Sequence, residues 1–361
     1  MEIDNAICGE LSVGVIGARR VRHGIGPFVA AHLSKLGAHV AAVAGTSHSS
    51  VAAAQENLHQ MAGIAPQGYT SVEEMFAEEA LDAVAICSPD TVHLEQLQLA
   101  LEAGVHVLCE KPLVFDGRTN PADTVRPLVE AFADKGLALV VNEQWPYTLP
   151  AFDLVHPNVH QAGVPPQEFR MLLCPGATGA DMIPNSMPHV LSMLGALHGD
   201  ADPSSVHVRD IEVSSKGRDS RGDVDAATVS FVYCGDKAEN SQPCVTNVSV
   251  ELRFMAAPPR PARYAIDGFG VERVIREPGY RMSLEPWSLN ADAGKRNQTT
   301  ASFSQSATPL ADPLPQLLAD FTRQCASTSH KPNMAAVANL QALWHIYETV
   351  RRHPEFGQAS H

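Results

Sequence analysis

A glycine-rich turn near the start of the chain has the composition of a phosphate-binding loop. Gly17 directly follows the apolar run Leu11–Ile16, and Gly24 and Gly26 precede a helical pattern. Backbone N–H groups and the positive end of a helix dipole meet at such a turn, and together they bind anions. Because the insert at residues 18–23 departs from the G-x-G-x-x-G spacing, we predict a remodelled dinucleotide-binding turn.

Basic and hydroxyl side chains around this turn favour a phosphorylated ribose. Arg19 and Arg20 lie in the loop, Thr46 and Ser47 follow the second predicted strand, and no acidic residue occurs between residues 10 and 56. An NAD-selective fold places a carboxylate after the second strand, where it would repel a 2′-phosphate. The pattern predicts NADP(H) as the preferred cofactor and NAD(H) as the alternative. Solvated loop charges are the other interpretation of the arginines.

Two short motifs follow successive predicted strands. They are Ser88-Pro89 with His93 in the next helix, and Glu110-Lys111-Pro112. With the strand-turn-helix start and the antiparallel second half, they resemble the Gfo/Idh/MocA family of glucose-fructose oxidoreductases, inositol dehydrogenases and rhizopine catabolism proteins. The resemblance covers nearly the whole chain.

The resemblance implies an NAD(P)-dependent oxidoreductase acting on CH–OH or C=N groups, with sugars, cyclitols and their acids as usual substrates. It implies that Lys111 polarises the reacting heteroatom, that Glu110 orients the turn or the cofactor, and that Ser88, Pro89 and His93 bind the cofactor. Pro112 raises the chance of a cis Lys-Pro peptide. A ligand-binding regulatory protein of the same fold is the alternative.

The second half contains the implied proton partner. His189 fits the family's Asp-x-x-x-His element, but Asn185 stands where the family has Asp. If Asn185 caps a helix, Pro188 falls in the first turn, where proline is tolerated. An imidazole titrates near neutrality and suits proton transfer, although His189 could instead cap or pack the helix. Asn185 would then contribute to substrate binding beside Lys111 and His189.

The stretch that leaves the last strand of the first domain supplies two further candidates. Asn142 matches an Asn that lines the cofactor cleft in relatives. Trp145 would form an apolar wall for substrate, or would simply belong to the domain junction.

The elements that must position these residues form an α/β fold with two domains. Residues 1–143 alternate apolar β-branched runs with helical periods, which predicts a doubly wound parallel Rossmann sheet. Residues 144–361 contain runs that alternate apolar and polar residues, at 169–174, 206–215, 226–233 and 245–254. This pattern predicts an α+β domain with a large, mostly antiparallel open sheet. Helices are expected after Pro184, over 314–325 and over 334–352.

Composition excludes several classes of function. The 361 residues carry a formal net charge of −14, which argues against a nucleic-acid partner. No apolar run is long enough to span a bilayer, so we expect a cytoplasmic protein with a small-molecule substrate. The seven cysteines include no CxxC pair and indicate reduced thiols, and no metal site is predicted. By analogy with relatives we expect a homodimer or homotetramer formed through the C-terminal sheet.

Overall fold

The structure, a computed structural model, describes residues 11–19, 24–160, 164–198, 207–213, 219, 222–235, 244–257, 260–276, 281–287 and 312–356. The chain divides into two units. The first comprises Met1–Glu143 with Leu314–Leu340, and the second comprises Gln144–Pro313 with Gln341–His361. The first unit therefore includes a segment far along the chain.

A six-stranded parallel sheet forms the core of the first unit. Its order is β3-β2-β1-β4-β5-β6, the order of a dinucleotide-binding fold with a switch point between β1 and β4. The strands are β1 (Ser12–Ile16), β2 (His39–Ala44), β3 (Gln67–Tyr69), β4 (Ala83–Ile86), β5 (His106–Cys109) and β6 (Leu139–Val141). Most of their side chains are buried because helices cover both faces.

The helices that connect these strands are α1 (Gly26–Lys35), α2 (His48–Ala62), α3 (Val72–Glu78), α4 (His93–Ala103) and α5 (Pro121–Asp134). Asn120 and Pro121 start α5, whereas Gly63 and Gly104 in the left-handed conformation end α2 and α4.

A seven-stranded sheet forms the core of the second unit, in the order β13-β12-β11-β7-β10-β9-β8. Its strands are β7 (Glu168–Leu173), β8 (His207–Val213), β9 (Ala226–Gly235), β10 (Cys244–Arg253), β11 (Arg263–Ile266), β12 (Phe269–Arg276) and β13 (Arg281–Trp287). The remaining helices are α6 (Leu149–Val155), α7 (Met182–His198), α8 (Pro313–Cys325) and α9 (Met334–Arg352). The predicted fold class, a parallel Rossmann sheet followed by a mostly antiparallel sheet, is confirmed.

The second sheet differs from expectation in two respects. β7 runs parallel to β10, although every other neighbouring pair in this sheet is antiparallel. β11 to β13 were not predicted, since arginine and glutamate interrupt their short apolar alternation. β11 and β12 form a hairpin through Asp267 and Gly268, with φ of 47° and 87°.

Candidate nucleotide and substrate sites

The glycine turn brings β1, β4 and the start of α1 as close together as their backbones permit. Gly17 has a φ of 82°, and a Cβ there would lie 2.8 Å from the Cys87 carbonyl carbon. A Cβ on Gly26 would lie 2.6 Å from the Gly17 carbonyl oxygen. Both positions therefore require glycine, as expected of a strand-turn-helix phosphate site.

Two other predicted residues of this turn, Arg19 and Gly24, lie in the described part of the chain. Arg19 is exposed and Gly24 lies just before α1. Arg20, predicted to bind the cofactor, lies outside the described residues.

The N-terminus of α2 stands at the end of β2, where an adenosine ribose lies in dinucleotide folds. Ser47 is the N-cap: its Oγ accepts a hydrogen bond from the Ser50 N–H at 3.2 Å, and Ser50 Oγ accepts one from the Ser47 N–H at 3.0 Å. Thr46 and Ser47 are exposed, and the first turn of α2 contains no acidic residue. The helix dipole and these hydroxyl groups therefore favour an anion here.

Glu110, Lys111 and Asn142 form a polar group at the ends of β5 and β6. Asn142 Nδ2 donates a hydrogen bond to Glu110 Oε1, and the Lys111 backbone N–H donates to the same carboxylate. Burial raises the pKa of Glu110, and the Lys111 ammonium and the Asn142 amide oppose this change. Burial lowers the pKa of Lys111, opposed by Glu110 and Asp90. The Lys111–Pro112 peptide is cis, as the sequence suggested.

His93 connects the two sequence motifs. Its ring is buried, with Nε2 2.9 Å from the Ser88 carbonyl oxygen and Nδ1 3.1 Å from the Pro112 carbonyl oxygen. The Ser88 hydroxyl donates to Gln96 Oε1 at 2.5 Å, and Pro89 leads into the 3-10 turn Asp90–Val92. The side chain of His93 therefore positions the two loops from inside the fold.

Glu143, which the sequence analysis missed, lies directly after Asn142. Asn339 on α9 donates a hydrogen bond from Nδ2 to Glu143 Oε1 at 3.3 Å. Burial raises the pKa of Glu143 to about 7, and the Asn339 hydrogen bond opposes the change. Nothing in the local sequence indicated this burial, because the covering residue lies almost two hundred positions away.

In the second unit, α7 begins earlier than expected. It starts at Met182, so Asn185 lies inside the helix, and the prediction that Asn185 caps it is wrong. Pro184 sits in the first turn, which tolerates proline, whereas Pro188 lies inside the helix. Asn185 is exposed and His189 is half-buried one turn later on the same stripe.

Trp145 contacts several polar side chains of this region. Its indole ring makes an edge contact with the His189 ring at 6.2 Å between centroids, and the Arg273 guanidinium carbon lies 5.5 Å from the indole centroid. Tyr264 contacts the same indole at 6.0 Å, and its hydroxyl lies 3.1 Å from Thr148 Oγ1. The structure thus brings Trp145 and His189 together, while the sequence analysis missed Arg273.

No described helix is long and apolar enough to cross a membrane. The described residues contain no group of three or more His, Cys, Asp or Glu side chains that could hold a metal ion.

Sequence comparison identifies the first unit. Residues 11–143 match the family described as an oxidoreductase family with an NAD-binding Rossmann fold, Gfo/Idh/MocA. The chain is 38% identical over 117 residues to an inositol 2-dehydrogenase of Corynebacterium glutamicum, which covers 30% of this chain and 31% of that protein. It is 32% identical over 106 residues to D-xylose 1-dehydrogenase (NADP(+)) 2 of Haloferax volcanii, covering 28% and 31%. The matched segment thus spans about a third of these relatives.

Structural comparison extends the similarity of fold to both units. A probable dehydrogenase from Thermotoga maritima matches with a TM-score of 0.63 at 18% identity, covering 95% of this chain and 96% of that one. A levoglucosan dehydrogenase, solved with NADH and L-sorbose, matches with a TM-score of 0.61 at 16% identity, covering 94% and 96%. Residues 11–143 therefore match the NAD-binding domain of the Gfo/Idh/MocA oxidoreductase family, and the similarity of the rest of the chain is one of fold.

Proposed function

We propose that this protein is an NADP(H)-dependent oxidoreductase that interconverts a CH–OH group and a carbonyl group on a sugar, a cyclitol or a related small molecule. The observation that carries the choice of NADP(H) is the acid-free N-terminus of α2, capped by Ser47 and flanked by Thr46. The names of the curated relatives, which include inositol, xylose and anhydrofructose enzymes, support the substrate class.

The residues at the carboxyl edge of the first sheet suit a dinucleotide. Gly17 and Gly26 permit the close approach of the pyrophosphate turn, and Thr46 and Ser47 offer hydroxyl donors to a 2′-phosphate. Arg19 and Arg20 are proposed to add positive charge near that phosphate. When bound, the nicotinamide supplies the hydride chemistry.

Lys111 is the proposed catalytic residue of the first unit. Because its pKa is lowered, the Lys111 ammonium releases a proton from Nζ more readily than an exposed lysine does. In its charged form it stabilises negative charge on the substrate oxygen. Glu110 lies beside it and is oriented by Asn142. This arrangement holds the Glu110 carboxylate at the end of β5, and Lys111 Nζ is left to interact with the substrate.

His189 is the proposed proton acceptor of the second unit. The apolar Trp145 indole packs against the His189 ring. Asn185 lies one turn earlier on the same side of α7. Asn185, unlike a carboxylate, cannot stabilise by its charge the imidazolium that forms when His189 accepts a proton. Four further expectations remain predictions: a small-molecule substrate, no nucleic-acid or membrane partner, a homodimer or homotetramer, and a cytoplasmic location.

The experiment for the cofactor compares NADPH and NADH binding to Ser47→Asp and Ser47→Asn proteins by calorimetric titration. Aspartate keeps the N-cap but adds a carboxylate, whereas asparagine keeps the N-cap without charge. We expect wild type to prefer NADPH. Ser47→Asp should weaken NADPH binding by about tenfold or more, because close like charges repel. The assignment would be contradicted if Ser47→Asp weakened the binding of NADPH and NADH equally. It would also be contradicted if Ser47→Asn weakened NADPH binding as much as Ser47→Asp does.

The experiment for turnover uses Lys111→Met. We expect kcat on any polyol that the wild type oxidises to fall by about a hundredfold or more, because a donor at the reacting oxygen is removed. NADPH binding should persist. A protein that binds NADPH but oxidises no polyol would instead support the regulatory alternative.

A further inference from the structure

The His93 ring lies between the two loops that follow β4 and β5. At the ends of these strands, the Glu110 N–H donates to the Ile86 carbonyl oxygen at 2.9 Å. Beyond this bond, the loop after β4 contains Ser88 and the loop after β5 contains Pro112. His93 is 1% exposed and contacts a carbonyl group of each loop. A buried side chain therefore continues the connection that the strand pairing begins.

Both nitrogens of this ring face carbonyl oxygens. Nε2 is 2.9 Å from the Ser88 oxygen, and Nδ1 is 3.1 Å from the Pro112 oxygen and 3.2 Å from the Leu113 oxygen. A carbonyl oxygen only accepts hydrogen bonds, so a nitrogen that bonds to it must carry a proton. A neutral imidazole has one N–H, whereas an imidazolium has two. The surroundings of His93 therefore match the imidazolium form.

A neutral ring would make this connection on one side only. Its unprotonated nitrogen would direct a lone pair at a carbonyl oxygen, and the free energy of that hydrogen bond would be lost. Lys111 directly precedes Pro112 in the chain, so a change at the Pro112 carbonyl reaches the backbone of Lys111. Loss of the bond to Ser88 would separate the same loop from the end of β4.

We propose that His93 is a positioning residue for Lys111 and that its imidazolium form holds the loop after β5 to the loop after β4. The inference rests on the proposed function, in which Lys111 Nζ interacts with the reacting oxygen. It implies that the reaction rate depends on the protonation of a ring inside the fold.

Other ionisable groups lie on the segments around the ring. Cys87 and Asp90 belong to the segment between β4 and α4, Glu95 lies on α4 itself, and Glu110 and Lys111 follow β5. Titration of these groups can change the rate without any change at His93. The test therefore compares the wild type with variants that retain all of them.

The test measures kcat against pH for wild type, His93→Asn and His93→Gln. The amide nitrogen of asparagine lies about as far from the backbone as Nδ1, and that of glutamine about as far as Nε2. Each variant thus keeps one donor that does not titrate. At about pH 6 we expect wild-type kcat to exceed that of each variant by about tenfold, the effect of one hydrogen bond from a charged donor. The ratio should approach one by about pH 9, because the wild-type ring then has one N–H.

His106→Asn is the matched control. His106 lies at the amino end of β5, and its Nδ1 accepts a hydrogen bond from the Ala138 N–H at 2.9 Å. The amide oxygen of asparagine can accept the same bond. The kcat ratio of wild type to this variant should not change with pH.

A double-mutant comparison separates the positioning of Lys111 from general damage to the fold. In the Lys111→Met protein the side chain that His93 positions is absent, so adding His93→Asn should leave the remaining kcat unchanged. General loosening of the fold would lower kcat by the same factor in both backgrounds.

Nitrogen NMR of the histidine rings reports the protonation of His93 directly, and the signals missing from His93→Gln identify it. We expect both ring nitrogens to carry protons where the kcat ratio is largest, and one of them to lose its proton as the ratio falls. This measurement on the wild type does not depend on whether a variant folds.

Three results would overturn the inference: a neutral His93 ring at about pH 6, a kcat ratio that does not change with pH, or additive losses in the Lys111→Met background. A wild type that turns over no polyol defeats the proposed function, and the NMR measurement then still tests the charge of the ring. Turnover with a constant ratio defeats only the role of His93.

Discussion

At the scale of single residues, the raised pKa of Glu143 makes the stability of the protein depend on pH. Its pKa is raised from 4.5 to about 7 because burial disfavours the carboxylate, and Asn339 compensates only in part. Between these two pKa values the unfolded chain has lost its proton while the folded chain keeps it. The carboxyl therefore contributes stability below pH 4.5, and this contribution is lost as the pH rises through 7.

We expect Glu143→Gln to remove this pH dependence. A glutamine side chain is neutral and can still accept the Asn339 hydrogen bond through its amide oxygen. The free energy of unfolding of the variant should equal that of wild type near pH 4.5 and exceed it by roughly 3 kcal/mol at pH 8, since each pKa unit corresponds to about 1.4 kcal/mol. Urea denaturation at intervals between pH 4.5 and 8.5 measures the difference.

Glu130→Gln provides the control, because Glu130 is an exposed carboxylate on α5 of the same unit. Its difference curve should stay flat over this pH range. A flat curve for Glu143→Gln as well would show that the Glu143 carboxyl is solvated in solution.

The sequence pointed to residues whose surroundings are formed by their neighbours in the chain. It missed residues whose surroundings are formed by parts of the chain that are distant in sequence. Ser47 could be chosen as a candidate cofactor-binding residue because the end of a strand, a hydroxyl group and the start of a helix are contiguous in the chain. Glu143 and Arg273 were missed because Asn339 and Trp145 reach them only after folding. The capping role of Asn185 was wrong since Pro184 suits a first helical turn and so hides an earlier start.

At the scale of elements, the packing of α1 on β1 depends on Gly26. A Cβ would meet the Gly17 carbonyl oxygen at 2.6 Å and the Ala18 Cα at 3.0 Å, and both are backbone atoms that cannot rotate away. We expect Gly26→Ala to displace the start of α1 and lower the free energy of unfolding by about 1–3 kcal/mol, the usual cost of overpacking. NADPH affinity should fall with it, because the same turn would hold the pyrophosphate.

Gly195→Ala tests the opposite case. Gly195 lies inside α7, and the position that an alanine Cβ would take there is open space, so alanine should stabilise the helix by about 0.5–1 kcal/mol. Thermal unfolding of both variants measures the contrast. A stable Gly26→Ala protein with unchanged nucleotide affinity would contradict the close-approach argument.

Five of the six strands of the first unit were predicted because burial on both faces makes each a continuous apolar run, as in Ala83–Ile86. The sixth, β3, has only three residues, Gln67–Tyr69, and no such run. The hairpin of β11 and β12 was missed although it carried a signal. Asp267-Gly268 between Ile266 and Phe269 is a two-residue turn sequence, and both residues adopt positive φ as that turn requires. The parallel pairing of β7 with β10 had no such local signal, since it joins strands far apart in sequence.

At the scale of the whole molecule, the outer face of the second sheet has the features of a surface that binds a copy of itself. One row across the sheet consists of Ala265, Arg170, Ser249 and Ser230, in which Arg170 is the one long side chain. Carboxylates such as Glu168 and Glu251 lie close to arginines on the same strands. A patch that carries charges of both signs can complement itself across a two-fold axis.

We therefore expect light scattering to find a dimer or tetramer at micromolar concentration, and Ser249→Arg to convert it to a monomer. An interface on this face would bury the added guanidinium without a partner, which costs several kcal/mol. Ser249→Thr, which suits a strand and adds no charge, should leave the assembly intact. A monomeric wild type would contradict the expected assembly, and a Ser249→Arg protein that still assembles would place the interface elsewhere. Unchanged thermal unfolding of the Ser249→Arg monomer would show that the sheet itself folds without its partner.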